Sequence, residues 1–133
     1  MAYTTTISQL ELKRQADLAY LGKSYKVFLV GASGALTAES LAADWLALEL
    51  SGNGYAAITG TVGAGQYRAA EQRYEMPAIV ATFQAAGGTL AYTTVCLHFT
   101  GEPYLHSITV ESPAISLTAG QAKNYSFTLA QDD

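Results

Sequence analysis

From Gly54 onward, short runs of β-branched and aromatic residues are broken by turn residues roughly every eight to twelve positions, the rhythm of a β-sandwich or barrel. The clearest run spans 122–129, where Tyr125, Phe127 and Leu129 alternate with Asn124, Ser126 and Thr128. A period of two puts the first set on one face of a strand and the second on the other. Further strands are expected over 55–62, weakly over 66–76 as far as Pro77, and over 78–83 and 105–111. Gly87-Gly88 is expected to close a hairpin from 78–83 into 89–99. Ser112-Pro113 should start a turn ahead of a short strand at 115–117.

The first 50 residues read differently. Ser8-Gln9-Leu10-Glu11 has the form of a capping box, which predicts a helix running to about Leu21 with Gly22 as its stop. Its charged residues Glu11, Lys13, Arg14 and Asp17 mix with Leu10, Ala16 and Leu18, a moderately amphipathic surface helix. Residues 25–30 form an apolar strand ended by Gly31-Ala32-Ser33-Gly34. Thr37 is placed to cap a second helix over 38–45, with Leu41, Trp45 and Leu48 as its apolar stripe. The expected fold is therefore mainly β: an antiparallel β-sandwich, jelly-roll-like, with one or two short N-terminal helices. Residues 1–133 are expected to form a single domain, 1–23 as an arm or short helix and 24–133 as the sandwich body. The polar segment 1–7 is expected to be an arm that orders on assembly.

Composition narrows the function classes. Charged residues are 14% of the chain against the ~25% usual in soluble domains, while apolar residues reach 50%. No stretch approaches the ~20 apolar residues of a membrane helix, and residues 1–20 lack a basic segment followed by an apolar one, so neither a membrane span nor a secretory signal is expected. A formal net charge of −4 disfavours a nucleic-acid partner, which needs a clustered cationic surface. Lys13, Arg14, Lys23 and Lys26 form a local basic cluster, a solvated face or a contact for an acidic neighbour. With Cys96 as the single cysteine, an internal disulfide is excluded.

No catalytic, cofactor or metal site is expected. Ser33 stands between glycines after a strand, but a nucleophile elbow needs Gly-x-Ser-x-Gly leading straight into a helix. Cys96 and His98 share a strand face and His106 is placed to lie opposite, yet the spacing is not that of a structural zinc site. The glycines at 52–54 and 60–65 lack the following helix or lysine of a phosphate cradle. Glu71, Arg73 and Glu75 on one strand face read as a solvated charge ladder. The nine tyrosines are the remaining signal, since a ring with a polar tip suits protein interfaces and sugar-binding surfaces alike. Tyr55, Tyr67, Tyr74, Tyr92 and Tyr104 are the interface candidates.

Three segments carry a resemblance: Leu48-Glu49-Leu50-Ser51-Gly52-Asn53-Gly54-Tyr55, Tyr74-Glu75-Met76-Pro77 followed by Ala81-Thr82-Phe83, and Ile115-Ser116-Leu117-Thr118-Ala119-Gly120-Gln121. In this order they resemble small virion structural proteins of tailed bacteriophages, of the tail-fibre-like or head-decoration type. The family commonly has a glycine-tyrosine-alanine-arginine step after the first segment. Ala57 stands here where that arginine would be, so no role of the arginine carries over. The resemblance implies a non-enzymatic subunit that resides in the virion, in the tail or fibre apparatus or as capsid cement on the head. It would assemble as a homo-oligomer, a trimer by expectation, and with other virion proteins. A carbohydrate-binding module contacting host-surface glycans is the alternative of another class.

Overall fold

The structure, a computed structural model, describes residues 8–132; the arm expected at 1–7 lies outside them. Along the chain run α1 (Gln9–Tyr20), β1 (Ser24–Val30), α2 (Ala42–Leu46), β2 (Ile58–Thr61), β3 (Gln66–Arg68) and β4 (Arg73–Glu75). They are followed by β5 (Ile79–Gln84), β6 (Leu90–Phe99), β7 (Ser107–Leu117), β8 (Ala122–Phe127) and β9 (Ala130–Asp132). The fold is mainly β, with antiparallel sheets and two helices, as the turn rhythm predicts. The described residues divide into two compact units, one drawn from 8–23, 61–80 and 126–132, the other from 24–60 and 81–125.

In the first unit α1 packs on a three-stranded sheet of order β3-β4-β9, burying Leu12 and Ala16 from the helix and Tyr74 from β4. The helix begins where the Ser8 hydroxyl accepts the Glu11 amide hydrogen at 3.2 Å and satisfies one of the orphan donors of the first turn. The Glu11 side chain does not reach back, as a full capping box requires; it turns to Arg14 and Gln15 instead. At the other end Gly22 takes φ +75°, a conformation that favours glycine, and its amide reaches the Val62 carbonyl at 2.9 Å. The 66–76 region is a hairpin, β3 and β4 joined through residues 69–72. Glu71 falls in that turn, so the expected ladder is reduced to Arg73 with Glu75, at 2.8 Å.

In the second unit a four-stranded sheet has the order β2-β1-β6-β7. Val27, Phe28, Leu29 and Val30 are all fully buried, so this stretch of β1 is covered on both faces. Phe28, Val30 and Cys96 join Trp45 of α2 in one cluster, ringed by Leu36, Leu46, Tyr55, Ala57, Leu105 and Ile108. A two-stranded sheet pairs β5 with β8. Tyr92 of β6 meets Tyr125 of β8, and Tyr125 meets Phe83 of β5, at ring-centroid distances of 6.4 and 6.3 Å. Through these edge contacts the two sheets of the unit pack as in a sandwich.

Several local expectations fail for identifiable reasons. β5 and β6 are not a hairpin: they lie in different sheets, and the chain between them is held elsewhere, Ala85 by Gln121 and Ala86 by Asn53. The second helix starts only at Ala42. Thr37 and Ser40 tie up their own backbone, with the Ser40 hydroxyl accepting the Thr37 amide at 2.9 Å, and Leu41 is held extended by a bridge to Tyr104. The stripe therefore dissolves: Trp45 is 2% exposed, while Leu41 and Leu48 are 47% and 40% exposed. Ser112-Pro113 does not end a strand either. β7 runs through it, with residues 111–114 bulging opposite Thr93 between the pairs Thr94↔Val110 and Tyr92↔Ile115.

Gly65 shows how closely the first unit is fitted. A Cβ there would strike the Glu75 carbonyl, and the Gly65 carbonyl itself accepts the Tyr74 hydroxyl at 2.9 Å. Gly65→Ala is expected to cost about 1–3 kcal/mol in urea unfolding. Gly63→Ala, whose Cβ would have Pro77 as its nearest neighbour at 3.9 Å, is expected to stay within about 0.5 kcal/mol of the parent.

Candidate interaction surface

Helix α1 has two apolar faces and buries one. Leu12 and Ala16, four residues apart, point into the first unit and have no accessible surface. Roughly opposite them, Leu10 is 79% exposed, Leu18 68% and Leu21 43%. Leu10, Lys13, Arg14, Asp17 and Leu18 line a shallow groove of about 370 Å³ along this side. Its charges are internally balanced. Arg14 grips Glu11 with a fork of two hydrogen bonds at 2.8 and 2.6 Å, and Lys13 meets Asp17 at 2.6 Å. The Arg14 hydrogen bonds hold the Glu11 carboxyl down to about 2, and the Asp17 carboxylate raises the Lys13 ammonium above its ordinary value.

The basic cluster at the N-terminal end is thus already partnered within the chain. Lys26, in the second unit, reaches Glu49 at 2.7 Å, and the other Glu49 oxygen accepts the Tyr55 hydroxyl at 2.5 Å. Burial, reinforced by that carboxylate, pushes the Tyr55 hydroxyl well above the usual tyrosine range.

The second unit also contains a concavity of about 750 Å³ between residues 32–38 and the bulge of β7. Leu36, Trp45, Ile108 and Val110 make it largely apolar; among the described residues Glu111 is the acidic one that lines it. Glu111 is anchored from behind, accepting the Tyr125 hydroxyl at 2.9 Å, and the Tyr125 and Tyr92 hydroxyls lie 2.7 Å apart. Burial raises both tyrosines above their ordinary values. Ser33 is among the lining residues, and the described lining residues include no histidine to act as its base.

The structure separates the other sequence candidates. Cys96 sits in the apolar cluster, where burial pushes its thiol up to about 12. The His98 Nε2 lies 2.8 Å from the Glu102 carbonyl oxygen, and the His106 ring packs edge-on against Phe99 at 5.1 Å. Among the described residues, no three His, Cys, Asp or Glu side chains gather as a metal ion would require.

The five tyrosines divide as well. Tyr92 (1% exposed) and Tyr74 (7%) are core residues, which corrects their reading as contact residues; Tyr55 and Tyr67 are half-buried. Tyr104, at 52%, is the exposed one of the five. What the tyrosine reading missed is the leucine face of α1. Its signal lay in the sequence as two apolar sets at helical spacing, Leu12 with Ala16 and Leu10 with Leu18, where one buried stripe needs only one set.

Two titrations check this chemistry. Glu11 has a depressed pKa, so its pairing with Arg14 is intact above the ordinary value of 4.5 and is lost only as pH falls through about 2. An NMR titration of its carboxyl carbon should give a midpoint near 2, and Arg14→Ala should raise it toward the ordinary value, with the Gln15 hydrogen bond still opposing the full return. Cys96 is expected to resist a thiol reagent at mildly alkaline pH in the native protein and to react at once in denaturant. Compared with known proteins, the chain matches no protein family, no curated protein and no solved structure.

Proposed function

We propose that this chain is a non-enzymatic structural subunit of a tailed-phage virion, acting in the tail or fibre apparatus and assembling as a homo-oligomer through protein–protein contacts. The observation that carries the reading is the exposed leucine face of α1. Leu10, Leu18 and Leu21 lie together on one side of a helix whose other side is already buried. Grouped large apolar side chains on a polar rim are characteristic of surfaces that meet another protein. The reactive groups lend further support, because they are committed to structure: the Cys96 thiol to an apolar cluster, the Tyr55, Tyr92 and Tyr125 hydroxyls to bonds that brace strands. The virion assignment draws on the three segments that resemble phage structural proteins. Glycan binding through tyrosine faces draws less support, since Tyr104 alone of the five candidate tyrosines is exposed.

Immunogold labelling of purified phage particles, with antibody raised against this chain, tests the reading. Label on the tail or its fibres is the expected result. Label over the head would keep the virion role and move the subunit to capsid cement; particles without label would sink the proposal.

A further inference from the structure

The outer row of α1 and its C-cap reads Leu10, Arg14, Asp17, Leu21, in steps of four, three and four residues, and is bounded on either side by Lys13 and Leu18. Such steps keep one line of side chains facing the same way along a helix. The row is self-complementary when reversed: leucine at both ends, a cation and an anion at the two inner places. We propose that α1 pairs with α1 of a second copy of this chain, antiparallel, about a two-fold axis at the level of Gln15 and Ala16.

In that register Leu10 meets the partner's Leu21, and Arg14 meets the partner's Asp17. About such an axis like flank meets like flank, so Leu18 lies on the side of the partner's Leu18, and Lys13, its ammonium in water, on the side of the partner's Lys13. Charge complementarity selects this register over its neighbour. An axis at Arg14 would also bring leucine onto leucine, Leu10 onto the partner's Leu18, but it would set Arg14 against the partner's Arg14 and Glu11 against the partner's Asp17. The favoured arrangement keeps both existing ion pairs and joins them. Glu11 holds Arg14, Arg14 faces the partner's Asp17, and the partner's Asp17 holds the partner's Lys13, alternating in sign throughout. The two-fold operation repeats this chain of four charges on the other side of the axis. The groove of about 370 Å³ beside Leu10 and Leu18 is the space that the partner's side chains enter.

The contact is isologous and joins copies in pairs, whereas the trimer expected from the sequence needs a head-to-tail surface. The pairing rests on the reading of the chain as an assembling subunit and specifies the surface used.

Sedimentation equilibrium of the full chain from micromolar to millimolar concentration is the test, with circular dichroism confirming that each variant is folded. The wild type is expected to show a concentration-dependent monomer–dimer equilibrium. Leu18→Glu, at an exposed position, and Asp17→Arg, at a half-buried one, should each weaken it at least about ten-fold, the second by placing arginine against the partner's arginine. Reversing every sign together (Glu11→Lys, Lys13→Glu, Arg14→Glu, Asp17→Lys) should preserve self-pairing and abolish mixing with the wild type. A chain that stays monomeric, a trimer, a dimer indifferent to Leu18→Glu, or free mixing of the two charge patterns would each overturn the pairing. Particle labelling reads the broader proposal separately. Labelled particles with a monomeric chain would remove the helix pair alone, and a helix-paired dimer that labels no particle would remove the virion role alone.

Discussion

Four consecutive residues of β1, Val27, Phe28, Leu29 and Val30, have no accessible surface, and across the antiparallel ladder they face Leu97, Cys96, Val95 and Thr94 of β6. A strand has two faces, so an unbroken buried run needs cover on both. On one side Trp45 of α2, with Leu36 and Leu46 around it, closes over Phe28, Val30 and Cys96. Residues 31–50 are arranged to keep that cover in place. The Trp45 indole donates to the Thr37 carbonyl at 3.2 Å, Ala42 donates to the Pro103 carbonyl at 2.8 Å, and Leu50 returns to the Leu29 carbonyl at 3.0 Å. Burial of this ladder is the dominant favourable term available to the second unit, and the surrounding hydrogen bonds satisfy the backbone groups that burial would otherwise strand.

The buried tyrosines follow from the same constraint. A large ring contributes apolar area, but its hydroxyl must find a partner inside. Tyr55 stacks against Phe83 at 6.1 Å and sets its oxygen between the Glu49 carboxylate and the Leu29 amide, fixing residues 49–55 to β1. Tyr92 and Tyr125 share a hydrogen bond across the two sheets, and Tyr125 passes it on to Glu111 at the bulge of β7. These hydroxyls are short-range braces between elements that are distant in sequence. Their pKa values rise because the charged form would be buried beside a carboxylate or another hydroxyl, so they remain neutral donors.

Local physics was legible wherever a signal was self-contained. Ser8 and Gly22 bracket α1 because a hydroxyl three residues from a free amide and a residue tolerant of positive φ act without help from the rest of the chain. The alternation of Tyr125, Phe127 and Leu129 with Asn124, Ser126 and Thr128 matches the observed burial for the same reason. Legibility ended where a distant group competed. Thr37 looked like a helix cap, but Ser40 and the Leu41–Tyr104 bridge took the backbone first. Gly87-Gly88 looked like a hairpin turn, but the strands on either side found other partners. The candidate surface was half legible: its leucines stood at helical spacing, while the attractive tyrosines at 74 and 92 proved to be core.

By itself the sequence determined a mainly β chain with a capped first helix, turns at its glycines, and no membrane-length apolar helix. Each of these depends on the preferences of a few neighbouring residues, and such preferences survive in any tertiary setting. Only the tertiary structure decided that β6 pairs with β1 and β7 while β5 pairs with β8, that β7 runs past Pro113 by bulging residues 111–114, and that α1 turns Leu12 and Ala16 inward. Leu10 and Leu18 are as apolar as Leu12, so composition could not rank the two faces of that helix. What ranked them was the sheet available to cover one face, and strand pairing over long sequence separations creates such a sheet.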